Sequence, residues 1–104
     1  MTINNVLDHQ AKLLSALSNE KRLLILGLIT DQEMGVSELA EKVGLSQSAL
    51  SQHLARLRAE NLVTTRREAQ NIYYSSKDVG IRRILQALCE IYAGSSTGGA
   101  PRNG

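Results

Sequence analysis

One stretch of the chain, residues 44–58, decides the fold, and it reads GLSQSALSQHLARLR. Gly44 suits the left-handed backbone that ends a helix, because glycine has no Cβ to clash there. Two positions later, Ser46 can cap a new helix by accepting a bond from a backbone N–H. A leucine face follows at helical spacing, formed by Leu50, Leu54 and Leu57. The stretch predicts a tight turn and then a helix that runs to about residue 60.

A short helix is expected just before that turn, over residues 38–43. Ser37 is the candidate cap at its start, and a break in the apolar pattern at residues 31–35 separates it from what precedes. Two helices joined by a tight turn that contains glycine form a helix-turn-helix arrangement.

Two strands are predicted after the second of these helices. Residues 62–67, LVTTRR, and residues 72–76, IYYSS, have the β-branched, tyrosine-rich and alternating composition that favours strands. The intervening residues 68–71, EAQN, lack the Asn-Gly pair typical of a tight two-residue loop. A helix-turn-helix followed by a hairpin is a winged helix-turn-helix arrangement.

Three further helices complete the predicted order. The first covers residues 3–16, and Ser18 is the candidate cap of a second, central helix that is apolar nearly all round. Asp78 can cap a last helix with an apolar stripe. The predicted fold class is mainly α with a small β-hairpin, in the order α-α-α-α-β-β-α. We expect one domain over residues 1–93 and a disordered tail over residues 94–104, GSSTGGAPRNG.

Length and composition limit the function classes. The 104 residues suit one small domain, and 42% apolar with 21% charged residues is ordinary for a soluble globular protein. A deep pocket between two domains is excluded for one copy. No apolar run approaches the roughly 18 residues that a membrane span needs, and we see no export signal. The lone Cys89 excludes an internal disulfide and a Cys-pair metal site, and it fits a cytoplasmic location.

Positive charge is concentrated in the middle of the chain. The net charge is only +2, yet residues 46–77 hold five basic and two acidic side chains, while residues 1–45 hold four basic and six acidic ones. A basic middle favours one region that faces a polyanion, and arginines scattered on a solvated face explain the charge equally well.

The polar side of the helix at residues 46–60 carries the functional hypothesis. Its first two turns present short uncharged hydrogen-bonding groups, where a merely solvated face favours Glu and Lys. Such groups let a helix approach base edges, since Gln pairs with adenine and Ser with any base. The predicted base contacts are Gln47, Ser48, Ser51 and Gln52, and the predicted phosphate and wing contacts are Ser46, Arg56, Arg66, Arg67 and Gln70.

The two wing arginines cannot play the same part, because Arg66 and Arg67 are neighbours in a strand and point to opposite faces. One of them reaches a phosphate and the other lies over the domain, and the sequence leaves open which does which. Gln70 and Asn71 lie at the predicted wing tip, where contact with the minor groove, contact with the DNA backbone and simple solvation all fit the sequence.

Catalytic and metal-binding arrangements find no support in the sequence. His53 lies beside the leucine face, and this position predicts a half-buried histidine. His9 is the only histidine on the first helix. Neither has a His or Cys partner at i+3 or i+4, so the spacing of a metal site is missing. The chain has no recognisable nucleophile–base set, glycine-rich phosphate loop or pair of carboxylates in an apolar setting. We expect neither an enzyme, nor a metal site, nor a cofactor.

Three blocks of the chain resemble the ArsR/SmtB family of bacterial repressors. Residues 13–26, LLSALSNEKRLLIL, look like the opening of the family, residues 36–58 closely resemble its helix-turn-helix, and residues 62–74 resemble its wing. The resemblance implies a cytoplasmic homodimer that binds operator DNA and represses transcription, with a dimer interface on the first and last helices. The interface residues so implied are Val6, Leu13, Leu17, Ile84, Leu88, Ile91 and Tyr92.

The chain departs from the sensing motifs of that family. Its third helix carries no cysteine and its last helix no histidine, so two common metal motifs are missing. Gly27 and Ala93 stand where persulfide-sensing members have their cysteines. The wing reads REAQ over residues 67–70, in place of the common Arg-Glu-Gly-Arg. Within the family, the helix-turn-helix and wing resemble a subgroup of nodulation-gene repressors that has no metal site.

Two other functions stay open. Cys89 on the last helix is either a redox- or ligand-responsive switch or a small packing residue at the edge of the apolar stripe. A lone thiol without basic neighbours in sequence favours the packing residue. The fold also suits a protein-interaction module that does not bind DNA. The sequence gives no inducer, operator or target gene.

Overall fold

Five helices and a small antiparallel sheet make up residues 3–93, the part of the chain that this computed structural model describes, with side chains over residues 5–92. The helices are α1 (Ile3–Leu17), α2 (Glu20–Asp31), α3 (Val36–Val43), α4 (Gln47–Ala59) and α5 (Val79–Ala93). The strands are β1 (Met34–Gly35), β2 (Thr64–Glu68) and β3 (Asn71–Ser75). The order confirms the mainly helical winged helix-turn-helix prediction. The predicted tail, residues 94–104, lies outside the described residues.

The core forms around α2 and α4, as their apolar patterns predict. The fully buried side chains of these two helices are Ile25, Leu26, Ile29, Leu50, Leu54 and Leu57. Each such burial is worth about 1.5–3 kcal/mol relative to exposure, so the packing fixes the rotation of α4 about its axis. Within residues 3–93, no helix has the length and apolar character needed to cross a lipid bilayer.

The sheet has three strands in the order β1-β3-β2, where only the β2–β3 hairpin was predicted. The additional strand is two residues long, and it pairs Met34 with Tyr74 and Gly35 with Tyr73. A strand this short has no alternating pattern that a sequence could reveal. Its pairing joins the loop after α2 to the central strand of the wing.

The wing turn is tighter than the sequence suggested. Glu68 pairs with Asn71, which leaves Ala69 and Gln70 as a two-residue loop. Ala69 has a φ of 57°, in the left-handed region that glycine adopts more easily than alanine. The Asn-Gly signal is missing because an alanine holds the backbone conformation that glycine favours.

Two predicted helix caps are wrong. Asn19 caps α2, where Ser18 was predicted, because the Asn19 side chain accepts a bond from the Arg22 N–H at 3.0 Å. Helix α3 begins one residue before Ser37, with Gly35 at the cap position and no side-chain cap bond. In each case the true cap lies one or two residues from the predicted serine.

The other predicted helix ends are confirmed. Gly44 ends α3 with a left-handed φ of 71°. Ser46 Oγ accepts a bond from the Ala49 N–H at 3.1 Å, and this caps α4. The Asp78 carboxylate accepts a bond from the Ile81 N–H at 2.9 Å at the start of α5.

Candidate nucleic-acid interface

Helices α3 and α4 meet at the turn over residues 44–46. The N–H groups of Gly44 and Leu45 donate to the Ala40 carbonyl at 2.9 and 3.0 Å, which closes the end of α3. Lys21 on α2 donates from Nζ to the Val43 carbonyl at 2.7 Å, where a cation is favoured by the helix dipole. The turn is therefore held both by its own backbone and by α2, and α4 leaves it at a fixed angle.

Helix α4 has two faces of different character. Its leucine face is buried in the core, and its opposite face is exposed. All four predicted base contacts lie on the exposed face: Gln47, Ser48, Ser51 and Gln52, which we call the polar strip. Because the leucines fix the helix in place, the polar strip is presented to solvent as one continuous surface of short hydrogen-bonding groups.

The beginning of the polar strip is tied to α3. Gln47 Nε2 donates to Ser37 Oγ at 3.3 Å. The Ser46 and Ser48 hydroxyls also lie 3.3 Å apart. The sequence indicated Ser37 only as a helix cap, and its contact with Gln47 depends on the angle between two helices. Ser37 therefore joins the set of candidate interface residues.

A groove separates the start of α4 from the wing. Its polar and aromatic lining includes Ser37, Glu38, Gln47, Gln70, Asn71 and Tyr73. Gln47 on α4 and Gln70 at the wing tip thus face the same open space. The structure therefore brings one predicted contact of α4 and one of the wing to the same groove.

The far end of α4 is tied to α1. Arg56 NH2 donates to Ser15 Oγ at 2.8 Å. Beside it, Arg22 Nε donates to the Ala16 carbonyl at 2.6 Å, and Arg22 NH1 lies 3.5 Å from His53 Nδ1. Partial burial, helped by the positive charge of Arg22, lowers the pKa of His53. The half-buried histidine is confirmed, and its surroundings favour the neutral imidazole.

The two wing arginines have different surroundings. The Arg66 guanidinium lies 4.8 Å from the centre of the Tyr73 ring. It also pairs with Glu33 at 2.7 Å and with Glu68 at 3.0 Å. Arg67 is exposed, and its side chain makes no hydrogen bond or ion pair with any residue in the described part of the chain. Arg66 therefore lies over the sheet of its own copy, and Glu33 is a partner that the sequence alone did not identify.

Apolar side chains are exposed on α1 and α5. The exposed large ones are Val6, Leu7, Leu14, Val79, Ile91 and Tyr92. Among the other residues predicted for a dimer interface, Leu13, Ile84 and Leu88 are half-buried in the single copy. Leu17 requires a correction, because it is only 4% exposed and packs in the core of its own copy. Leu7 and Leu14, which were not predicted, have more surface to offer a partner.

The structure also locates the alternative sites. Cys89 is free and exposed on α5, where it lines a shallow groove with Arg82 and Leu85. Within residues 5–92, no three His, Cys, Asp or Glu side chains are grouped so that they could hold a metal ion.

Comparisons with known proteins identify the family. The model described as "Bacterial regulatory protein, arsR family" matches residues 19–65. The nodulation protein NolR of Rhizobium meliloti is 62% identical over 82 residues, which are 79% of this chain and 67% of NolR. The chain belongs to the arsR family. This arsR-family chain is also 46% identical over 80 residues to the transcriptional activator HlyU of Vibrio cholerae, with 77% of the chain and 74% of HlyU covered.

Solved structures of relatives have the same fold. NolR from Sinorhizobium fredii matches with a TM-score of 0.82 and 58% identity, over 86% of this chain and 89% of NolR. A homodimeric winged helix-turn-helix DNA-binding domain from Mycobacterium bovis matches with a TM-score of 0.74 and 32% identity, over 86% and 82% of the two chains. The arsR-family chain is thus a DNA-binding transcriptional regulator and not an enzyme. Its predicted similarity to a nodulation-repressor subgroup is confirmed by NolR.

Proposed function

We propose that this arsR-family chain is a homodimeric, sequence-specific repressor that reads a palindromic operator with α4 in the major groove, without a metal or another cofactor. The observation that supports this best is the polar strip, exposed on one face of α4 while the leucine face is buried. A helix that is fixed in rotation and faces solvent with amides and hydroxyls is suited to contact base edges.

The polar strip suits direct reading of bases. Helix-turn-helix proteins contact base edges with the N-terminal part of the second helix, and the strip occupies that part of α4. Gln47 and Gln52 can each bond to N6 and N7 of an adenine, while Ser48 and Ser51 can donate to or accept from any base. We therefore expect A·T pairs in each half-site.

Phosphate contacts are assigned around the strip. Ser46 lies at the N-terminus of α4, where free N–H groups and the helix dipole favour a phosphate. Arg56 keeps further guanidinium N–H groups beyond the one that bonds to Ser15. Arg67 and Gln70 provide the contacts of the wing. Neutralising several phosphates releases counterions, so we expect binding to weaken steeply as salt rises.

A second copy of the chain supplies the second half-site. The exposed apolar side chains of α1 and α5 are the surface that a partner would cover. The Mycobacterium bovis relative is homodimeric. A two-fold axis that pairs these helices would present two α4 helices to successive major grooves, about 34–36 Å apart.

Repression is the proposed direction of control. Relatives differ in this respect: a biofilm growth-associated repressor of Xylella fastidiosa is 34% identical to the chain, whereas HlyU is named as an activator. A dimer that occupies a promoter represses by excluding RNA polymerase, and this needs no additional surface that contacts the polymerase. Such control takes place where the bacterial chromosome is, in agreement with the predicted cytoplasmic location.

Selection from a pool of random DNA duplexes tests the proposed function. We expect an enriched palindrome whose two half-sites are centred about one helical turn apart. Placing that palindrome over a reporter promoter should lower expression when the protein is present. A pool with no enriched sequence, together with weak binding that hardly depends on salt, would instead identify a protein-interaction module.

A further inference from the structure

One arginine of the wing reaches across the whole sheet. From β2, Arg66 passes over the ring of Tyr73 in β3 at 4.8 Å. Its Nε and NH2 then donate to the Glu33 carboxylate at 3.0 and 2.7 Å. Its NH1 donates to Glu68 at 3.0 Å. We call these four residues, Arg66, Tyr73, Glu33 and Glu68, the wing bracket.

The strand order explains what the wing bracket connects. Strands β1 and β2 form opposite edges of the sheet, with β3 between them. Glu33 directly precedes β1, and Gly35 at the end of β1 is also the cap residue of α3. Tyr73 packs on Gly35, where a Cβ would lie 3.5 Å from its ring. The bracket therefore joins the outer strand of the wing to the start of the helix-turn-helix.

The bracket also uses the charge of Arg66. Hydrogen bonds from Arg66 lower the pKa of Glu33, and bonds to Glu33 and Glu68 raise the pKa of Arg66. If Arg66 moved to a DNA phosphate, both carboxylates would be left unpaired beside the phosphate backbone, which repels them. The Arg67 guanidinium is free to bind a phosphate, because it is exposed and pairs with no carboxylate within the described residues.

We propose that Arg66 is a positioning residue, which together with Glu33 fixes the angle of the wing relative to the helix-turn-helix, and that Arg67 makes the phosphate contact of β2. We rest this inference on the proposed function, because it assigns separate roles within the same DNA interface. It gives Glu33, a carboxylate, a supporting role in the binding of a polyanion.

The salt dependence of DNA binding separates the two roles, with a duplex enriched in the selection as the probe. The double variant Glu33→Ala/Arg66→Ala removes one negative and one positive charge, so the net charge stays the same. We expect its affinity for the duplex to fall about tenfold, because both wings of the dimer are then held less firmly before they bind. The slope of log K against log salt should stay unchanged. The matched control Arg67→Ala should reduce that slope by about two per dimer, since each phosphate contact contributes about 0.9.

Two results would overturn the assignment. A double variant whose slope also falls by about two would mean that Arg66 contacts a phosphate. A double variant with the affinity of the wild type would mean that the bracket does not matter for binding. The conservative variants give a third readout, because lysine keeps the charge of arginine without its two-pronged geometry. Arg66→Lys should weaken binding about as much as the double variant, whereas Arg67→Lys should keep most of the affinity, and the reverse pattern contradicts the proposal.

A measurement without DNA distinguishes failure of this inference from failure of the proposed function. In the free protein, amide hydrogen exchange in β2 and β3 should rise by about tenfold in Glu33→Ala and in the double variant, but not in Arg67→Ala. Unchanged exchange in Glu33→Ala would show that the bracket does not hold the wing, whatever the protein binds. The other combination is a rise of amide exchange in these variants while the wild-type protein enriches no duplex. That pair of results supports the role of the bracket in holding the wing and rejects the proposed function.

Discussion

Gln47 Nε2 donates to Ser37 Oγ at 3.3 Å, across the turn between the two helices of the helix-turn-helix. The bond joins the first residue of α4 to the second residue of α3. The other N–H of the amide and its oxygen stay available, and these are the two groups that an adenine edge requires. Gln47 is therefore oriented before any DNA is bound.

Replacing Gln47 tests whether α4 is the reading helix. Gln47→Ala should relax sequence preference at one position in each half-site and cost about 1–3 kcal/mol for each base that the amide no longer bonds. Competition binding with duplexes substituted at single positions measures both effects. The control is Gln86→Ala, since Gln86 is also exposed but lies on α5. Unchanged affinity and unchanged preference in Gln47→Ala would exclude α4 from base reading.

The left-handed backbone at Ala69 predicts a stabilising substitution. Ala69 has a φ of 57°, and glycine adopts this conformation without the strain of a Cβ. Ala69→Gly should raise the free energy of unfolding by about 1 kcal/mol, as measured by urea denaturation. The control Ala87→Gly, in the middle of α5, should lower it by about 1 kcal/mol. A decrease in stability in Ala69→Gly would mean that the turn relaxes in solution.

The parts of the fold that local chemistry determines were predictable from the sequence. The end of α3 at Gly44 and the cap at Ser46 follow from the chemistry of those residues alone. The leucine face of α4 and the exposed polar strip follow from helical spacing, because one set of positions must face the core. These elements lie within one short segment, so no knowledge of distant partners was needed.

The contacts that the sequence could not reveal join distant segments. Strand β1 is defined by its pairing with Tyr73 and Tyr74 of β3, and a two-residue strand has no period of its own. The pairing of Arg66 with Glu33 depends on the order of three strands. Leu17 was predicted for the dimer interface because an apolar stripe on a helix does not show which of the apolar residues pack in the core of the same copy. In each case the deciding factor is tertiary packing.

The lowered pKa of His53 predicts a pH-dependent stability. Folding favours the neutral imidazole, so this residue contributes stability above its ordinary pKa of about 6.5, and that contribution is lost as the pH falls through the lowered value. The free energy of unfolding should therefore decrease as the pH is lowered from about 7.5 to about 5. In His53→Gln this decrease should be smaller, whatever the absolute stability of the variant.

Urea denaturation at a series of pH values measures the slope for His53→Gln. His9→Gln is the matched control, because His9 is exposed on α1. This variant should keep the wild-type dependence of the free energy of unfolding on pH. Equal slopes in the wild type and in His53→Gln would assign the pH dependence to other groups.

The exposed apolar surface of α5 predicts how the two copies associate. Ile91 is 66% exposed in a single copy, and its burial against a partner stabilises a dimer by about 1.5–3 kcal/mol for each copy. Ile91→Gln should weaken dimerisation by at least about tenfold and operator binding with it, since each half-site needs its own α4. Sedimentation equilibrium over a range of concentrations measures the first effect, and Glu90→Gln, at the neighbouring exposed position, is the control. If Ile91→Gln stayed dimeric at low concentration, the end of α5 would lie outside the interface, and the exposed side chains of α1 would have to form it without this end of α5.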